Sequence, residues 1–296
     1  MTERKLISMH DAIAAHVHDG DSVALEGFTH LISFAAAHEI IREKRRKLTL
    51  CRLTPDLVAD QMIAAGCITK LVFSWAGNPG AGSLHAFRRA GDALELDEYS
   101  HFGMVARFAA GASGLPFWPL RNYAGTDLPR ANPNIRQVTC PFTGEQLAAV
   151  PALVPDVAIL HAQRSDASGN AQMWGVLGVQ KEAAFAAKRV VVVAEEIVDE
   201  SVIRADPNRT IVPSFAVDAV VHEPWGAHPS YVQGYYDRDN DFYVAWEDIS
   251  RDPARLEAYL DEFIYGVRDR TEYLARVSVE KLRAGQRVAD GVNYGY

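Results

Sequence analysis

Two adjacent glutamates close an apolar run in KRVVVVAEEIVD (residues 188–199), and a carboxylate pair is the simplest acid–base device a chain can carry. Neighbouring residues of a strand point to opposite faces, so Glu195 and Glu196 cannot converge on one substrate atom while the segment stays extended. One is expected to be a buried acceptor for a nearby loop, the other to face solvent or a subunit contact. The loop GNPGAGS (77–83) lets the backbone approach a ligand closely, and the helix after it offers free N–H groups to an anion. A tight structural turn fits the same residues equally well, and neither the Walker A nor the G-x-G-x-x-G spacing is met. LEGFTHL (25–31) leaves a strand at Gly27 and sets Thr29 and His30 in a loop facing the same edge.

Three further groups carry chemistry. His16 and His18 lie at i, i+2 around a helix axis, which suits solvent residues better than a metal pair, and no zinc motif such as H-E-x-x-H occurs, so no metal site is expected. In LELDEYSHFG, Asp97 and Glu98 sit beside Ser100 and His101; Glu98 fits either a nucleophile or base, or a loop cap. Arg52, at the end of a buried strand, must be paired. A clamp for a substrate carboxylate and a salt bridge to Asp56 both satisfy it.

These residues need elements to hold them. Met9, Ile13, Ala14 and Val17 mark a short helix ended by HDGD, and SVALEGF follows as a strand. SFAAAHEIIREKRRK reads as a helix with Ser33 as N-cap and a cationic last turn. LTLCRL, ITKLVFSW, DVAILHAQ, KRVVVVAEE and DAVVHEP read as buried strands, ALELDEY and LPFWPL as shorter ones, and a helix starts near Leu84. Strands alternating with helices predict an α/β fold: an open, mainly parallel sheet with helices on both faces and ligands at the carboxyl ends of the strands. GAHPSYVQGYYDRDNDFYVAW shows no clear periodicity and is expected to wrap a surface. PARLEAYLDEFIYGV has helical spacing from Leu256 to Val267. Without repeat, low-complexity tract or linker, one domain is expected over residues 1–296, with 226–296 as a C-terminal wrapping segment and helices.

A formal net charge of −8 and pI near 5.7 exclude a nucleic-acid footprint and suit small-molecule chemistry. Cys51, Cys67 and Cys140 form neither a disulfide framework nor a C-x-x-C site, so a reducing, cytoplasmic setting is the simplest. No signal-type N-terminus and no membrane span are read.

Taken together, GDSVALEGFTH, RLTPDL, KLVFSWAGNPGAGSLH, AGASGLPFWPLRNYAGTDL, VTCPFTGE, PDVAILHAQRSDASGNAQMWG and AAKRVVVVAEEIVD resemble, in order over about residues 8–235, the A (alpha) subunit of family I CoA-transferases. ALEGFTHLI and WGVLGVQKEAA are most similar to 3-oxoadipate CoA-transferase alpha subunits, and EEIVDESVIRADPNRTIVPSFAVDAVV is also similar to glutaconate CoA-transferase alpha subunits. The resemblance implies the open α/β CoA-transferase fold shared with sugar-phosphate isomerases. It also implies a ping-pong transfer of CoA to a carboxylic acid, such as 3-oxoadipate or glutaconate, with the nucleophilic glutamate on a separate beta subunit of an α2β2 heterotetramer. The chain's end at Tyr296 without a second half agrees. Coenzyme A would be a substrate, with no tightly bound cofactor.

For this chain the resemblance implies no catalytic nucleophile. It implies an oxyanion or substrate-orienting role near Ser100 or His101, where single-chain relatives carry a glutamine, and at Thr54, where they carry an asparagine. It places Gly27, Phe28, Thr29, His30, Asn78, Gly80, Gly82 and Ser83 against the substrate, with Arg52 as the cation for an unreacted carboxylate. Two rivals remain: a hydrolase on the same fold using Glu98, and a ligand-sensing module. The sensor would carry a basic helix-turn-helix, and none is read before residue 8.

Overall fold

The computed structural model describes residues 5–78 and 81–286. Twelve strands occur among them: β1 (Ser22–Glu26), β2 (Leu48–Cys51), β3 (Ile68–Phe73), β4 (Glu95–Glu98), β5 (Phe117–Leu120), β6 (Arg136–Thr139), β7 (Gln146–Pro151), β8 (Val157–Ser165), β9 (Ala171–Gln172), β10 (Val190–Ile197), β11 (Thr210–Val212) and β12 (Ala219–His222). Seven of them form a parallel array in the order β4-β3-β2-β1-β8-β10-β12, and β9 and β11 add to it antiparallel at the end of β8. β5, β7 and β6 make a separate antiparallel sheet.

The continuous apolar strands are explained by burial on both faces. Val191 and Val193 enter one core with Val23 and Leu25, packed under the helices Met9–His16, Phe34–Arg42, Leu57–Ala64 and Pro253–Leu260. Val190 and Val192 enter the other with Ala24, under His101–Ala112 and Gln180–Ala186. Each buried valine contributes roughly 1.5–3 kcal/mol, so a central strand that faced water on one side would forfeit half of that. The expected mainly parallel sheet with helices on both faces is what the chain adopts. No helix among the described residues is long and apolar enough to cross a membrane.

Chain order sets the site. The chain begins in the middle at β1, steps outward through β2, β3 and β4, then returns to the other side of β1 as β8. The carboxyl ends of β1 and β8 therefore diverge, which is where open α/β sheets bind ligands. Asp156 fixes the opposite end: it accepts the Ser22 N–H at 2.9 Å and the Ser22 hydroxyl at 2.7 Å, and pairs with Lys188 at 2.8 Å. Partial burial pushes this carboxyl up, but Lys188 and Ser22 together hold it down at about 2, below its ordinary 3.8. Its contribution to stability is complete above 3.8 and is lost as pH falls towards 2. Acid titration followed by circular dichroism should show Asp156→Asn less stable than the native chain at pH 5, with the difference shrinking below pH 3.

Some local expectations are corrected. The second helix stops at Arg42 because Lys44 and Lys47 take left-handed conformations (φ 55° and 59°), which turn the cationic tract into a loop. Ser33 precedes that helix, but its hydroxyl makes no capping bond. The aperiodic stretch after Trp225 contains the start of a helix, Asn240–Arg251, capped by Asp239 accepting the Phe242 N–H at 3.0 Å. Inside it Tyr243 and Trp246 are buried among exposed acidic residues.

Candidate functional site

A cavity of about 340 Å³ opens at the carboxyl ends of β1 and β2. Gly27, Phe28, Thr54 and His101 meet there and are joined by Glu26, Leu53, Glu182 and residues 176–179. Larger hollows, of about 680 Å³ beside Trp225 and Lys281 and about 690 Å³ between Ile63 and Leu260, gather none of these strand ends.

Each wall has a local cause. Gly27 has φ 147°, and a Cβ there would lie 2.6 Å from the Leu31 carbonyl, so only glycine allows the chain to turn back at the end of β1. His101 opens the helix His101–Ala112, whose N-cap is Ser100. The imidazole is held from both sides, with Nδ1 2.6 Å from the Ser74 hydroxyl and Nε2 3.4 Å from the Thr54 hydroxyl. Because the Ser74 hydroxyl also lies 2.6 Å from the Leu53 carbonyl, which can only accept, its proton goes there and Nδ1–H donates to Ser74. Nε2 is left to face Thr54 and the cavity.

Other expected residues have different work. Arg52 is fully buried: its guanidinium donates to the carbonyls of Leu25, Gly27 (2.9 Å) and Thr54 (3.0 Å) and to Asp56 at 3.0 Å. The salt bridge is the reading the structure realises, and a substrate clamp is corrected, because no face of the side chain reaches solvent. His30 is also sealed. Its Nδ1–H donates to the Val176 carbonyl at 2.9 Å, its Nε2 accepts the Gln233 N–H at 3.1 Å, and burial drives it down to about 4, so it is a neutral latch between loops. The adjoining Thr29, at φ 55°, accepts the Ser230 hydroxyl on its carbonyl. Ser100 caps its helix, accepting the Gly103 N–H and the Asn122 amide.

The glycine loop holds an anion, but the anion is the protein's own. Glu247 of the helix Asn240–Arg251 accepts the Ser83 N–H, and a Cβ on Gly82 would strike its carboxylate. Asn78 donates to the carbonyls of Ala81 and Tyr243. Asn78, Gly82 and Ser83 thus belong to a docking turn and line no part of the cavity; Gly80 lies outside the described residues.

The glutamates of the valine strand behave as the extended backbone requires. Glu195 is buried and accepts from Tyr236, from the Trp225 N–H at 2.6 Å and, across to β8, faces His161 at 2.6 Å; Glu196 is exposed and accepts the Tyr235 hydroxyl at 2.8 Å. Glu98 is exposed at the end of β4, with its backbone carbonyl taken by Asn132 at 2.8 Å. His16 ends a helix while His18 meets Arg189, so they form no pair. One His/Glu group does converge, His10 with Glu39 and Glu43, but both carboxylates are already paired with Arg42 and Arg45. Sequence reasoning missed Glu26 and Ser74, each a polar residue ending or just following an apolar strand.

Residues 6–223 match the Coenzyme A transferase family. The A subunit of the 3-oxoadipate CoA-transferase of Pseudomonas knackmussii is 55% identical over 282 residues, covering 94% of this chain and 99% of that one. The crystal structure of glutaconate coenzyme A-transferase from Acidaminococcus fermentans superposes with a TM-score of 0.91 at 32% identity, covering 96% of both chains. A cholesterol ring-cleaving hydrolase IpdA subunit from Rhodococcus jostii is 28% identical over 291 residues, 92% of this chain and 95% of that one. With its matched fold, its cavity at the switch point and this continuous similarity, the chain belongs to the coenzyme A transferase family.

Proposed function

We propose that this chain is the alpha subunit of a two-subunit CoA-transferase that moves CoA from an acyl-CoA such as succinyl-CoA to a dicarboxylic acid, 3-oxoadipate first and glutaconate second. The observation that carries this reading is the 55% identity, over nearly the whole of both chains, to the corresponding subunit of a 3-oxoadipate CoA-transferase. The acyl-CoA is attacked by a glutamate of the partner subunit, which releases CoA thiolate; the thiolate then attacks the resulting anhydride to give a glutamyl-CoA thioester and the free first acid. The second acid reverses these steps and leaves as its CoA ester. CoA is a substrate, and no tightly bound cofactor takes part.

This chain's contribution is positioning and charge stabilisation. Each attack places negative charge on a carbonyl oxygen, and a fixed donor there lowers the barrier by about 3 kcal/mol. Thr54 supplies such a donor from the cavity wall, and His101 supplies a second from Nε2 once that nitrogen also carries a proton. Anhydrides and thioesters hydrolyse, so the site must close. Phe28, Val176 and Leu177 are exposed around the cavity, and Trp75 and Phe102 are exposed beside it, an apolar rim suited to burial under a partner in an α2β2 assembly in the cytoplasm.

The test is a CoA-transfer assay on the chain co-produced with its partner, over succinate, 3-oxoadipate, glutaconate and acetate. A dicarboxylate should exceed acetate in kcat/KM by at least about tenfold, as expected where a site pairs a second charged group. Preference for acetate would contradict the reading. The 28% identity to a ring-cleaving hydrolase subunit gives the alternative its footing. Glu98 separates the two: it is exposed and lines no part of the cavity, so Glu98→Gln should retain at least about half of the transferase activity. Loss of essentially all turnover would favour the hydrolase.

A further inference from the structure

One cavity group has no part in that chemistry. Glu26 ends β1 at the switch point and lines the cavity with Thr54 and His101, although only 2% of it is exposed. One carboxyl oxygen accepts the Leu53 N–H at 3.0 Å. The neighbouring guanidinium of Arg52 is committed to three carbonyls and to Asp56, and no lysine or arginine lines the cavity among the described residues. On this chain's side of the pocket a dicarboxylate would therefore meet no fixed cation, only a buried carboxyl.

An ionised Glu26 would repel that anion, whereas a protonated one offers an O–H donor on the cavity wall. Burial pushes this carboxyl up to about 7, against the attraction of Arg52 and the N–H groups of Leu53 and Gly27, with Asp56 adding to the rise. The other groups around it are Cys51 on β2, and His101 and Glu182 across the cavity. The neutral form is thus within reach at physiological pH.

Resting on the transferase reading, we propose that Glu26 is a substrate-binding group that, as the neutral acid, donates a hydrogen bond to the unreacted carboxylate of the incoming dicarboxylic acid. Binding of that acid is then coupled to proton uptake. The cavity selects dicarboxylates through an acid–carboxylate hydrogen bond in place of the cation that Arg52 cannot supply.

The experiment uses the chain with its partner subunit, succinyl-CoA as donor, and kcat/KM for 3-oxoadipate between pH 6.5 and 8.5. For a group titrating near 7 the neutral fraction falls about 25-fold over that range, and kcat/KM should fall with it. Glutamine keeps a neutral donor and the acceptor for Leu53, so Glu26→Gln should flatten the fall to about threefold or less, while His101→Gln should keep it. The native enzyme gives a second arm: acetate, which has no second carboxylate, should show only what the catalytic groups impose on every acid, so the ratio of kcat/KM for 3-oxoadipate to that for acetate should fall about 25-fold over the range. An equal fall in Glu26→Gln, an equal fall with acetate, or disappearance of the fall in His101→Gln would overturn the assignment. Loss of turnover in Glu26→Gln at every pH would overturn it too, by making Glu26 a nucleophile. Absence of any CoA transfer by the native pair overturns the transferase reading itself and this inference with it.

Discussion

His101→Ala should lower kcat for CoA transfer by about 100-fold, with the melting temperature nearly unchanged. The ring is exposed at the start of its helix, so its removal leaves no buried void, and Ser100 still caps the helix through the Gly103 N–H. What is lost is the ring held by Ser74 on one side and Thr54 on the other, and with it the proposed donor to the oxyanion. Because the oxyanion exists only in the transition state and the intermediates, the loss falls on kcat rather than on KM. His101→Gln restores a donor and should recover most of the rate. Thr54→Ala should cost about tenfold. Steady-state kinetics on the assembled enzyme decide the matter: a rise in KM at constant kcat would make His101 a ground-state contact and remove it from the oxyanion site.

Arg52→Met should cost about 3–5 kcal/mol of stability and lower the melting temperature by roughly 10 °C, since it removes the ion partner of Asp56, a carboxyl that burial already pushes up. The carbonyls of Leu25, Gly27 and Thr54 lose their donor in the same step. Two of those carbonyls belong to the loops that carry Gly27 and Thr54 into the cavity, so Arg52 shapes the site by organising its backbone. Lysine cannot reproduce four bonds from one planar group and should rescue little. Calorimetry separates this from the clamp reading: a variant with unchanged melting temperature and a much weaker affinity for the acid would restore Arg52 to the substrate.

The sheet was legible because its central strands are apolar on both faces, so runs such as VAIL and VVVV needed no tertiary information. The helix Leu57–Ala64 and the helix His101–Ala112 were harder to read. In the latter, Gly103 and Gly111 weaken the local helical signal, and their purpose is contact: a Cβ at Gly103 would overlap the Tyr123 hydroxyl, and one at Gly111 the Leu153 carbonyl. Sequence could place Gly27, Thr54 and His101 at strand ends but could not tell which glycine loop faces the cavity. That depended on Glu247, more than 160 residues away, filling the turn at Gly82 and Ser83. Arg52 was ambiguous for the same reason, since its deciding partners include carbonyls 25 and 27 residues upstream. Glu26 escaped notice because a single glutamate ending an apolar strand looks like a solvent-facing terminus until its burial is known.

On the proposed reading this chain presents donors and a shaped cavity, and the attacking carboxylate comes from a second polypeptide. The most direct test of that reading is transfer of CoA from succinyl-CoA to 3-oxoadipate by the chain alone and then with its partner added. The isolated chain should turn over at least about 1,000-fold more slowly than the pair, as for removal of a nucleophile. Sustained turnover by the isolated chain, at a rate comparable to the pair, would contradict it.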